Sequence, residues 1–288
     1  MSQLTFEEIY TGLSKQELDK AAKLHIENNG GKVYTDKQLE SFKKYNEMEA
    51  NKKEVDKHHH SRMILERYET ITENLTLQQH GLLLYLATCM SYGHGGDLYT
   101  DRGTRVSAQE LQLRLGKSKN QVNKVLSELE ANGVIVRIKE GKTTYVNMTE
   151  AVYICGKVEG NVVKLFKTHL HEKAKQLPLN ALGLFALLLN HMNWKTNLVV
   201  ENPNEVDASK LILLKRSHIV KLLGLSKPTV NKLMDELNRA RLIVEVKSIT
   251  EAICLDPKAV SRQAKKITFE ELLDNIEKAS LSRNNFKK

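Results

Sequence analysis

The chain repeats itself. The stretch from Gly116, GKSKNQVNKVLSELEANGVIV, matches the stretch from Gly224, GLSKPTVNKLMDELNRARLIV, at ten of 21 positions with a constant offset of 108. The same offset carries through to Ala151-Val152 against Ala259-Val260. Upstream, LTLQQHGLLLYLATCM from Leu75 resembles LPLNALGLFALLLNHM from Leu177 at an offset of 102. The second copy therefore holds six extra residues between the blocks, in the segment NWKTNLVVENPNEVDASK. A repeat constrains a chain more than its composition does, because whatever fold one copy takes must also suit the other. We expect two copies of one domain, residues 75–155 and 177–262, in a chain of 288 residues.

Each copy reads as helix, loop, helix, turn, helix and two strands. Leu82, Leu83, Leu86 and Met90 recur at helical spacing in the first helix of copy one. A short helix near Ser107–Leu115 ends at Gly116, a residue suited to a left-handed C-cap. Ser118 with Gln121 three residues on forms a capping box and opens the third helix. Along that helix Val122, Val125, Leu126 and Leu129 make one apolar face. Copy two repeats these devices with Gly224, Ser226, Pro228 in the first turn, and Val230, Leu233, Met234 and Leu237. The β-rich runs VIVRIKEGKTTYVNM and LIVEVKSITEAICLD follow, and Glu140-Gly141-Lys142 supplies a hairpin turn in the first. The fold class expected is mainly α with small β-hairpin wings (α+β), in two tandem winged helix-turn-helix domains plus a helical N-terminal segment.

At LGKSKNQVNKVLSELEANGVIV, the short hairpin and Asn147–Val152, each repeat resembles the winged-helix domain of RepL-type plasmid replication proteins. It is also similar to MarR-like and related phage regulators, and the tandem pair resembles the two-winged-helix plasmid replication initiators. The resemblance covers about 80 residues in each copy and leaves out the first 70. It implies that the third helix of each copy enters the DNA major groove. With the apolar residues turned inward, the opposite face of the first such helix carries Lys119, Asn120, Asn123, Lys124 and Ser127, and Lys117 and Gln121 are further candidates for DNA contact. Asn and Gln can donate to and accept from adenine, and Lys serves guanine or phosphate. Copy two offers Lys227, Thr229, Asn231 and Lys232. Lys119/Lys227, Asn123/Asn231 and Lys124/Lys232 recur although packing needs none of these exposed identities. Arg137, Lys139 and Lys142 flank the first wing and suit phosphates, whereas the second wing carries Glu245, Lys247 and Glu251.

Charge points the same way. Residues 1–74 carry 12 basic and 14 acidic side chains, and residues 75–288 carry 32 and 21, so the basic excess lies wholly within residues 75–288. Other chemistries find no support. Gly116-Lys117-Ser118 and Gly141-Lys142-Thr143 look like ends of a phosphate-binding loop, but Leu111 and Val136 stand where its first glycine is required. His58-His59-His60 reads as part of a solvated charged helix, since adjacent residues point apart and no further ligand pattern joins them. With no paired carboxylates or nucleophile–base arrangement, we expect no enzyme, no cofactor and no metal. The longest apolar stretches, about ten residues, are too short to cross a bilayer, and three scattered cysteines suit a reducing compartment. A cytoplasmic, nucleoid-associated protein is expected.

Residues 1–74 read as a helical arm suited to contact with the chain itself or with replication or transcription proteins. Residues 156–176 read as a linker with a helix from about Val162 to Lys175, and residues 263–288 as a C-terminal helix and frayed tail. The role expected is a sequence-specific double-stranded DNA-binding regulator of transcription, of phage, plasmid or bacterial type. The alternatives are a replication initiator that binds origin repeats and a winged-helix protein-interaction module.

Overall fold

The computed structural model describes residues 14–30, 40–41, 59–92, 95–247, 251–263, 267–282 and 285. The chain divides into two compact units, residues 1–55 and 56–288. In the first, helix α1 (Lys15–Asn28) starts at Ser14, whose backbone N–H and hydroxyl both donate to Glu17 Oε2. Most of the second helix expected for the arm lies outside the described residues.

The second unit is α+β, mainly helical with small antiparallel sheets. It runs β1 (His60–Ile64), α2 (Leu65–Thr72), α3 (Leu77–Cys89), α4 (Ala108–Leu115) and α5 (Lys119–Ala131), then β2 (Ile135–Glu140), β3 (Thr143–Met148) and β4 (Tyr153–Ile154). The same order then recurs as β5 (Val162–Phe166), α6 (Lys167–Gln176), α7 (Leu179–Leu188), α8 (Arg216–Leu223), α9 (Lys227–Arg239), β6 (Ile243–Lys247), β7 (Glu251–Leu255) and β8 (Val260–Ser261). Helix α10 (Phe269–Ser280) closes the unit. Among the described residues no helix is long and apolar enough to cross a membrane.

The repeat unit thus begins earlier than its helices suggest, at His60 and Val162. Residues 60–74, expected within the arm, form the opening strand and helix of the first copy. Residues 162–176, expected as a linker helix, form the matching strand and helix of the second. The run Val162-Val163-Lys164-Leu165-Phe166 is a strand because β1 of the other copy satisfies its backbone, a partner 102 residues away. His60, expected on a solvated helix, opens β1 and sits edge-on to Phe166, with ring centroids 6.1 Å apart.

The two copies are joined around an internal dyad. Strands β1 and β5 pair antiparallel at the centre of a sheet ordered β4-β1-β5-β8. Arg62 pairs with Lys164, its own equivalent, while His60 pairs with Phe166 and Ile64 with Val162. The outer strands are held reciprocally, Ile64 N donating to Val152 O and Phe166 N to Ala259 O, each at 2.9 Å. Behind the sheet α3 crosses α7, and the crossing depends on two glycines. A Cβ on Gly81 would stand 1.8 Å from the Leu179 carbonyl oxygen, and one on Gly183 would stand 1.8 Å from that of Leu77. Gly81 and Gly183 are equivalent, as are Leu77 and Leu179. One continuous apolar core runs through both copies, from Met63, Leu82 and Leu126 to Leu182, Phe185 and Met234.

The equivalence by reciprocal bonding sets Val152 against Ala259 and Tyr153 against Val260. The gap-free offset of 108 therefore fails by one residue, and the hairpins explain it. Glu140 pairs with Thr143 across two residues, whereas Lys247 pairs with Glu251 across three, and the first hairpin has one more rung. Helix α10 is capped by Thr268, whose hydroxyl accepts from Glu271 N. Its Ile276 and Ala279 pack with Leu198, Leu213 and Cys254 of the second copy. The tail expected to fray includes Asn285, which is buried. It accepts from Leu213 N at 2.8 Å and donates to the carbonyls of Leu211 and Ala279.

Candidate nucleic-acid interface

Helices α4 and α5, and α8 and α9, meet at tight turns in which Gly116 and Gly224 both have φ of 60°. Only glycine takes this left-handed conformation cheaply. In α5, Ser118 Oγ accepts from Gln121 N, and Ser226 Oγ accepts from Thr229 N in α9. Val122, Val125, Leu126 and Leu129 are buried in α5, as are Val230, Leu233, Met234 and Leu237 in α9. The helices are consequently fixed about their own axes, and their opposite faces are dictated. Lys119, Asn120, Gln121, Asn123 and Lys124 are exposed on α5, and Lys227, Thr229 and Lys232 on α9. Asn231 is half-buried.

Exposure does not make these residues equally free. Gln121 Oε1 accepts from Ser118 N and Oγ at 3.1 and 3.2 Å, which leaves only its amide NH2 for a ligand. The Thr229 hydroxyl lies 2.7 Å from that of Ser226 in the same cap role. Lys117 Nζ donates to Gln78 Oε1 at 2.6 Å and is held against α3. Arg137 grips Glu130 through Nε and Nη2 at 2.8 and 2.6 Å, and its backbone N–H donates to Glu130 Oε1. These bonds lower the Glu130 carboxyl below its ordinary range. Arg137 is therefore already neutralised at the base of the β2–β3 hairpin. Six lysines remain: Lys119, Lys124, Lys139, Lys142, Lys227 and Lys232 form no ion pair among the described residues.

The second face is built around a residue that the sequence did not single out. Arg216 donates from Nε and Nη2 to the two Glu245 oxygens, and from Nη2 to Asp235 Oδ1, all at 2.6 Å. Its pKa is raised, first through the Glu245 bonds, so the charge is permanent. Nη1 lies 3.5 Å from Asn231 Oδ1, which draws that side chain toward the cluster. Arg216, Asp235 and Glu245 stand where copy one has Ala108, Ser127 and Arg137. A signal existed, since all three positions differ in charge between aligned copies.

Arg105 was also missed. Its guanidinium stacks over Tyr145, 4.4 Å from the ring centroid, and donates to Glu140 at 2.6 Å, bracing the β2–β3 hairpin. Beside α5 runs a groove of about 560 Å³ lined by Gln78, Gln79, Lys117, Gln121, Lys124 and, from the second copy, Asn180. Gln78 and Asn180 are equivalent positions at the α3–α7 crossing. No family model, curated protein or solved structure matches this chain.

Proposed function

We propose that this chain is a sequence-specific double-stranded DNA-binding protein, a cytoplasmic transcriptional regulator built from two winged helix-turn-helix copies. Helices α5 and α9 serve as recognition helices, and β2–β3 and β6–β7 as wings. One observation carries the reading. Two capped helices, rotationally fixed by their apolar faces, carry Lys, Asn and Lys at equivalent positions (Lys119/Asn123/Lys124 and Lys227/Asn231/Lys232), all exposed except the half-buried Asn231. Six lysines free of acidic partners suit phosphate contacts, and asparagine suits a base edge.

The test is selection of duplexes from a random pool by the full chain, followed by titration at several salt concentrations. Six phosphate contacts give a log–log slope of about −5. A slope shallower than about −2, or no enriched sequence, would remove the reading. Mapping of bound sites in the genome of origin separates regulation from replication initiation, since promoter sites favour the first and a cluster of repeats at an origin the second. The acidic second wing, with Glu245 and Glu251, favours a subsidiary reading in which that copy also docks a protein partner.

A further inference from the structure

We propose that the DNA target is an inverted repeat whose dyad coincides with the internal dyad of this single chain. The proposal rests on the DNA-binding reading above and adds the orientation of the half-sites.

Three independent contacts define the dyad. The β1–β5 register is symmetric about the Arg62–Lys164 pair. Gly81 and Gly183 each abut the other copy's leucine carbonyl in the α3–α7 crossing. The amides of Ile64 and Phe166 reach the equivalent carbonyls of Val152 and Ala259 at the same 2.9 Å. A half-turn thus exchanges the two copies. The sheet lies on one side of the α3–α7 crossing, and the recognition helices lie beside the crossing itself. Lys117 bonds Gln78 of its own copy, and Asn180 of the other copy lines the groove with Lys117, Gln121 and Lys124. In the second copy α9 packs directly on α7. The axis therefore passes between α5 and α9, and both helices flank it.

This geometry decides the orientation. Duplex DNA has two-fold axes perpendicular to its length, and a protein dyad can lie on one of them, so that a two-fold protein reads a pseudo-palindrome. Direct repeats would need the copies related by a translation along the duplex, which an antiparallel β1–β5 pair with symmetric register forbids. The half-sites should be centred about one helical turn apart, roughly 10 base pairs. They should agree where the shared Lys119/Lys227, Asn123/Asn231 and Lys124/Lys232 act. They should diverge where Asn120 faces Pro228 and Gln121 faces Thr229.

The experiment uses the full chain and the site selected above. Its two half-sites are rebuilt in three synthetic duplexes: inverted at the selected spacing, direct at the same spacing, and one half-site beside scrambled sequence. Kd is measured for each by fluorescence anisotropy. The inverted duplex should bind at least about 100-fold more tightly than the single half-site, because the second contact is intramolecular. The direct repeat should bind no better than the single half-site. Equal affinity for direct and inverted repeats, or full affinity for one half-site, overturns the inferred orientation and leaves DNA binding standing. Failure to select any sequence overturns both.

Discussion

The two halves of residues 56–288 share their frame and differ on their faces. Both use a glycine C-cap, a serine N-cap, four buried apolar residues on the third helix and a glycine at the central crossing. On the first face Asn123 is exposed and Arg137 is tied to Glu130 across the wing base. On the second face an arginine stands at the start of α8 and an acid on the wing, so the ion pair is rebuilt with its polarity reversed. Packing tolerates few alternatives at the frame, whereas a partly buried ion pair outside the core needs only opposite charges within reach and can be built from other positions. The comparison teaches that equivalence in the core is weak evidence for equivalent binding, and each face must be judged by what its side chains already hold.

The largest effect should fall on what the halves share. Gly81→Ala and Gly183→Ala each drive a Cβ into the other copy's backbone, where no side chain can yield. Each should cost about 3 kcal/mol or more, and lower Tm by about 6–12 °C, measured by calorimetry. The two losses should be equal if the dyad governs the crossing. Gly156→Ala, whose Cβ would meet only the Ile154 side chain at 3.9 Å, is the neutral control. The same frame predicts that fragments 75–160 and 177–262 fail to fold separately, because each loses its opening strand and half of the shared core.

Acid should next distinguish the halves. His80 is buried beside Tyr68, its Nδ1 2.6 Å from the hydroxyl, at a position held by Leu182 in the second copy. Burial pushes its pKa down to about 4, opposed by a backbone bond at Leu75. The folded state thus resists a proton that the unfolded chain accepts below about 6.5. The stabilisation is full above that pH and is lost as pH falls from about 6.5 through about 4, to a total on the order of 3 kcal/mol. His80→Gln should flatten that part of the Tm–pH curve relative to the parent. An unchanged slope would assign the acid lability elsewhere, first to His191, which stands at the place of Cys89 and is lowered by the same cause.

On DNA, Asn123→Ala should cost about 1–3 kcal/mol on the preferred site and little on random duplex. Asn231→Ala should cost less, because Arg216 already engages its oxygen. Lys142→Ala, at the first wing, should weaken both kinds of duplex alike. Equal losses at Asn123 and Asn231 would show that Arg216 yields its contact when DNA arrives.

Much of the frame was legible because it is local. Caps, turn glycines and the 3.6-residue apolar stripe need only near neighbours, and α4, α5, α8 and α9 fall where those signals place them. The strands β1 and β5 were not legible, since five residues carry too little alternation and their partner is 102 residues away. Even so, a signal lay in the aligned Gly81 and Gly183, because a glycine repeated inside two apolar helices marks close backbone approach. For the site, sequence gave which side chains point outward. It could not give which of them are already spent: Gln121 on its cap, Lys117 on Gln78 and Arg137 on Glu130 are choices among several neighbours within reach.

The smallest effect bears on the reversed ion pair itself. Arg216 is held by two acids, with about a quarter of its side chain exposed. The double variant Glu245→Gln, Asp235→Asn keeps the shapes and frees the guanidinium at the edge of α9. If a duplex lies along that helix, the freed Arg216 adds one phosphate contact, and the salt slope should steepen by about one, from about −5 to about −6. The same isosteric change in the first half, Glu130→Gln, frees Arg137 and should steepen it equally. A response from the first half alone would mean that DNA never reaches the second wing. That copy's acidic surface would then face a protein, and the symmetry of the frame would extend to one reading face only.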